Sequence, residues 1–94
     1  MSNEIISYEP ATGEQMWRGA VGNVDAEVAA ARAGWPEWAA LSFAKRVDVI
    51  KRFAERLRAN VDPLAELIAR ETGKPMWEAR TEVESVIAKS DISV

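Results

Sequence analysis

The chain has no cysteine and no histidine among its 94 residues. Without cysteine there is no disulfide framework, no thiolate nucleophile and no zinc–thiolate site. Without histidine, the commonest general base and metal ligand is missing. Long apolar runs are absent too, so no segment approaches the length that spans a bilayer. The opening Met1-Ser2-Asn3-Glu4 lacks the basic start of a signal peptide. Positive charge is in short supply: the net charge of -3 disfavours a nucleic-acid partner, whose phosphates favour a basic face. These absences predict a cytoplasmic chain with neither a membrane nor a nucleic acid as its partner.

What is present points to a folded chain. Hydrophobic residues make up 48% and charged residues 29%, a balance that gives no sign of disorder. Trp17, Trp35, Trp38 and Trp77 are many large side chains for one small domain to hide. Their surplus predicts packing against something outside these residues.

Ile5-Ile6-Ser7-Tyr8 favours a strand, Pro10-Ala11-Thr12-Gly13-Glu14 a turn, and Gln15 to Val21 a returning strand. The reading is a β-hairpin over 5–22, which needs a further strand or helix face to lean on. A helical region fills 23–94. Asn23 caps its first helix, with Asp25 and Glu27 in the opening turn, and Gly34-Trp35-Pro36 is predicted to end it. Pro36 then opens a short turn with Trp38 and Leu41 facing inward. Ser42 caps the second helix, whose apolar stripe of Phe43, Val47, Ile50, Phe53, Ala54 and Leu57 is the strongest periodic signal in the chain. Asp48 with Arg52 and Lys51 with Glu55 are four-residue pairs on its exposed side. For the third helix, Asp62 is the expected cap and Pro63 the first position, with Leu64, Leu67 and Ile68 inward. Gly73 closes it in the left-handed conformation, and Pro75 suits the first turn of a fourth helix, with Met76, Val83, Val86 and Ile87 on one side. The fold class is mainly α, about four helices behind a short hairpin.

No catalytic constellation emerges from the residues. The basic run Lys45 to Arg58 reads either as an anion-binding face or as a solvated helix face, and the lack of interleaved aromatics favours the second. Glu78, Glu82 and Glu84 with Arg80 have no histidine beside them and read as the exposed half of an amphipathic helix. Gly73-Lys74 follows a helix, where a phosphate-binding loop would need a strand before it. Gly19-Ala20-Val21-Gly22 lacks the third glycine of a dinucleotide fingerprint.

Several motifs in order nonetheless resemble the amino terminus of the aldehyde dehydrogenase family. Pro10-Ala11-Thr12-Gly13-Glu14 is similar to its opening hairpin motif. Ala29-Ala30-Ala31-Arg32-Ala33 with Trp38 resembles its first helix. Glu71-Thr72-Gly73-Lys74-Pro75 is similar to its most recognisable amino-terminal signature. A narrower resemblance, carried by Leu41-Ser42-Phe43-Ala44, Trp77-Glu78-Ala79 and Ile92-Ser93, is to a branch that oxidises a succinylated semialdehyde in arginine degradation.

The resemblance implies an α/β cofactor-binding domain of which this chain is the amino-terminal part, ending abruptly at Val94. It implies cysteine attack on an aldehyde and hydride transfer to NAD in a longer parent, with every catalytic and NAD-contacting residue outside these 94. The segment alone is expected to be inactive and to bind no NAD. Its expected partners are the rest of the parent chain and, through exposed apolar faces, further copies of itself. One site carries over: Glu71 matches an acid that helps hold a monovalent cation in relatives, with the backbone carbonyls of Ser7 and Tyr8 nearby. The alternative is that Glu71 neutralises its own corner. The fourth helix resembles one that runs along the substrate tunnel, which would place Trp77, Val83, Ile87 and Lys89 at its wall. A competing reading from another class is a complete helical adaptor module, which requires a core able to close on itself.

Overall fold

The computed structural model describes residues 3–93. Two strands precede four helices: β1 (Glu4–Tyr8), β2 (Gln15–Ala20), α1 (Val24–Ala40), α2 (Phe43–Ala59), α3 (Val61–Thr72) and α4 (Met76–Ile92). This is the mainly α chain with an amino-terminal hairpin that the sequence predicts. No helix among the described residues is long and apolar enough to cross a membrane.

β1 and β2 pair antiparallel, with Glu4 opposite Ala20 and Ser7 opposite Trp17, and the ladder slips between Ser7 and Tyr8. Gly13 takes a φ of 76° in the turn, and its N–H donates to the Glu9 carbonyl at 2.7 Å. The support that two isolated strands require comes from the far end of α3, described below.

Asn23 caps α1, its side-chain oxygen accepting from the Ala26 N–H at 3.0 Å. The predicted stop at Pro36 is not realised, and α1 continues to Ala40 with the proline inside it. Proline removes one helical donor, leaving the Arg32 carbonyl without its usual partner. No residue of α1 is buried, so water can take that carbonyl, and the alanine-rich turns sustain the helix across the gap. Leu41 is half-buried as expected, whereas Trp38 stays 38% exposed.

Ser42 caps α2 by accepting from the Lys45 N–H at 3.2 Å. Its apolar stripe is not a core. Only Ala54 is buried, Leu57 is half-buried, and Phe43 and Phe53 lie open at 69% and 51% exposure. Of the two predicted pairs, Asp48 meets Arg52 at 3.5 Å.

α3 starts earlier than predicted. Asn60, not Asp62, occupies the cap, and its side chain donates back to the Arg56 carbonyl at 2.8 Å. Pro63 then falls at the third helical position, where its missing N–H would have had no helical partner anyway. Asp62 is drawn instead to Arg80 on α4, at 2.9 Å. Ala65 is the buried residue of α3, while Leu67 is 47% exposed and Leu64 and Ile68 flank the core.

Gly73 ends α3 with φ 79°, its N–H donating to the Ala69 carbonyl at 2.9 Å. Pro75 is the cap of α4, one place before its predicted first turn. Its extended ψ of 153° aims the carbonyl at the N–H groups of Glu78 and Ala79, both at 3.1 Å. Ala79, Val83 and Ile87 recur every fourth residue and join Ala65 to form the core. Val86, predicted to face inward, is 50% exposed, because it lies at the edge of that row and lines an open groove with Ile50 and Phe53.

The chain is spread out. Its radius of gyration is 17.1 Å, against about 12 Å for a compact domain of this length. Its accessible surface is 7350 Å², where a closed monomer of this mass would show about 5400 Å². The adaptor reading requires a core that closes on itself, and the chain does not form one.

Candidate functional site

The clearest polar assembly is where the hairpin meets the corner between α3 and α4. Ser7 and Trp17 are directly opposed across the ladder, so their side chains share a face of the hairpin. Glu71, in the last turn of α3, receives both. Ser7 Oγ donates to Glu71 Oε1 at 3.0 Å, and Trp17 Nε1–H donates to the same oxygen. One residue earlier, Arg70 Nε meets Glu9 Oε2 at 3.1 Å. Pro10, in the hairpin turn, closes over Gly73: a Cβ built there would sit 4.0 Å from the proline Cβ. The corner therefore holds the hairpin as well as setting an angle between helices.

Glu71 was expected beside Ser7, and the two do meet. They meet through the Ser7 hydroxyl, however, and the partners of Glu71 belong to the hairpin rather than to its own corner. Among the described residues, no group of three or more acidic, histidine or cysteine side chains converges as a metal site would.

Lys74, the residue after Gly73, pairs with Glu82 on α4. Its pKa is raised from 10.5, first by the hydrogen bond to Glu82, then by that carboxylate's charge, with desolvation opposing and Glu78 adding a little. Arg80 pairs with Asp62. Of the acidic run of α4, Glu82 is thus held in an ion pair, while Glu84 lies exposed and Glu78 half-buried.

Of the residues expected along a substrate tunnel, Val83 and Ile87 are buried at 3% and 8% exposure against α3. A wall built from α4 would have to use Trp77, which is 71% exposed, and Lys89. Lys89 lies in a shallow groove with Ile50, Phe53, Val86, Ser90 and Ser93.

Arg46 lies in the basic run read from the sequence as a solvated helix face, and it departs from that reading. Its Nε is shielded from solvent without a hydrogen-bond partner. The side chain lines a groove of about 290 Å³ with Phe43, Val47, Ile50 and Ser93. The available signal was its place, three residues after Phe43 and one before Val47, which sets it at the edge of the apolar stripe.

All of residues 1–94 match the model of the aldehyde dehydrogenase family. The N-succinylglutamate 5-semialdehyde dehydrogenase of Sphingopyxis alaskensis is 63% identical over 94 residues, which are 100% of this chain and 20% of that protein. The protein of the same description from Novosphingobium aromaticivorans is 56% identical over 91 residues, 97% of this chain and 19% of the relative. That from Hahella chejuensis is 44% identical, again over 97% of this chain and 19% of the relative. The chain thus spans about a fifth of the length of the curated relatives it matches.

Proposed function

The chain belongs to the aldehyde dehydrogenase family, and from that premise we propose that it is the amino-terminal part of an NAD-dependent N-succinylglutamate 5-semialdehyde dehydrogenase acting in arginine catabolism. The observation that carries this reading is the 63% identity to a relative of that description, sustained over the whole chain.

In this reading the longer protein oxidises the semialdehyde to N-succinylglutamate, and bound NAD supplies the hydride acceptor. With no cysteine, these residues cannot offer a thiolate for attack on the aldehyde. Their work is architectural. The Gly73 turn and the Glu71 clasp fix the hairpin against α3, and the open faces of α2 and α4 wait for the rest of the chain. Cytoplasmic location and assembly of several copies belong to the same reading. Glu71, with the backbone carbonyls of Ser7 and Tyr8, is the place for a monovalent cation, whose test is whether potassium raises the melting temperature in the parental protein but not in Glu71→Gln.

The test of function is direct. The longer protein should reduce NAD in the presence of N-succinylglutamate 5-semialdehyde, followed by NADH absorbance. The 94-residue chain should give no turnover and no calorimetric signal with NAD. A longer protein that ignores this semialdehyde, or NAD binding by the short chain, would overturn the reading.

A further inference from the structure

The amino-terminal half of α2 and the carboxyl end of α4 border the groove that holds Arg46. Its walls are apolar at Phe43, Val47 and Ile50, and Ser93 closes one side. Against those walls the Nε of Arg46 is shielded and unpartnered. A shielded donor with no acceptor costs free energy, and folded proteins seldom leave one so. Nearby carboxylates do not answer it. Asp48 pairs with Arg52 at 3.5 Å, and Asp91 pairs with Arg58 at 3.1 Å. The charge of the surroundings is predominantly positive. α2 carries six basic and two acidic residues, a net of +4, in a chain that sums to -3, so the remainder carries -7.

Building on the reading of the chain as part of a longer dehydrogenase, we propose that this groove is the seat of a later segment of that longer chain. The segment lays apolar side chains on Phe43, Val47 and Ile50 and places an aspartate or glutamate on Arg46. Two observations choose this occupant. The relatives are about five times as long as the 94 residues, so most of their chain lies elsewhere. Ser93, which follows α4, already forms part of the wall, so a chain running on from α4 reaches the groove through a short loop at low closure cost. A guanidinium offers a carboxylate a planar fork that a lysine ammonium cannot, which suits a half-buried arginine whose Nε is shielded beside apolar walls.

Arg46→Met tests the proposal in two settings. In the longer protein it should lower the melting temperature and speed amide exchange across Phe43–Phe53 by about tenfold or more, because a docked carboxylate loses its partner. Arg46→Lys, which keeps the charge and loses the fork, should fall between. In the 94-residue chain, at concentrations where it is monomeric, Arg46→Met should leave the melting temperature unchanged or raise it. A fall of similar size in both settings, or none in the longer protein, would sink the proposal. So would α2 protection in the longer protein that rises with its concentration, which would make a second copy the occupant there. Failure of the underlying reading shows separately, as a longer protein unable to couple semialdehyde oxidation to NAD reduction.

Discussion

Trp17 donates its indole N–H to the carboxylate of Glu71, 54 residues further along the chain. Ser7, opposite Trp17 in the hairpin, gives its hydroxyl to the same oxygen. A single carboxylate oxygen thus joins both strands to the end of α3. Replacing it should loosen the hairpin before it disturbs the helices. Glu71→Ala is expected to cost about 1–2 kcal/mol of local docking, read as faster amide exchange in β1 and β2 with the helical circular dichroism little changed. Glu71→Gln keeps a carbonyl acceptor and should fall between. Equal loosening of hairpin and helices would contradict a local clasp.

Gly73 sits at φ 79°, with only the Pro10 side chain near its missing Cβ, at 4.0 Å. The cost of a side chain there is conformational rather than a clash. Gly73→Ala is therefore expected to destabilise by about 1–2 kcal/mol, measured as a lower urea midpoint of the helical signal. Gly34 lies in α1 with open space where its Cβ would be, so Gly34→Ala should go the other way.

The core is narrow, and its small residues set the helix spacing. Ala65 and Ala79 are both fully buried, and a larger side chain at either must push α3 and α4 apart. Ala79→Leu should cost about 1–3 kcal/mol. Phe43→Ser, at a residue 69% exposed, should change the unfolding free energy of the isolated chain little, by less than about 0.5 kcal/mol. The reverse ranking in chemical denaturation would show that α2, not α3 with α4, carries the core.

Lys74 provides a pH signature. Its folded pKa is raised from 10.5 by the hydrogen bond to Glu82. A raised lysine binds its proton more tightly when folded, so its contribution is complete below the unfolded value and fades as pH climbs through the folded one. Thermal stability should therefore fall above pH 10.5 more steeply in the parental chain than in Glu82→Gln. NMR titration of the Lys74 ε position checks the shift itself, which Glu82→Gln should remove.

The uncovered stripe of α2 should make the 94-residue chain sticky. Phe43, Phe53 and Val86 are all at least half exposed and lie near one another around the two grooves. Light scattering should show a mass that rises with concentration, and Phe53→Ser should weaken that rise. A concentration-independent monomer would count against the open faces being adhesive.

Much of this architecture was readable from local chemistry. Asn23, Ser42 and Gly73 perform the capping roles their types imply, because a cap depends on a few neighbouring backbone groups. Misreadings arose where the deciding partner was distant or missing. Pro36 stays helical because no residue of α1 is buried, so a solvated carbonyl costs little. Asp62 was given the cap, but Arg80, eighteen residues on, claims it. Periodicity marked the α2 stripe correctly as apolar, yet it cannot say what covers a face. It also overlooked Ala65 and Ala79, whose burial reflects close helix approach rather than hydrophobic size. At the clasp, Glu71 and Ser7 were brought together only through a family resemblance. The indole of Trp17 was not foreseen, since a cross-strand register is invisible to composition.

The principal extents of the chain are 48 × 38 × 16 Å. With packed helix axes about 8–10 Å apart, the shortest of these is at most two helices deep. A slab that thin has already hydrated much of the apolar surface that a rounder domain exposes only on melting. Its heat capacity of unfolding, and its sensitivity to denaturant, should therefore be low for its length. Its stability curve should be correspondingly flat with temperature, and its melting broad in a calorimeter.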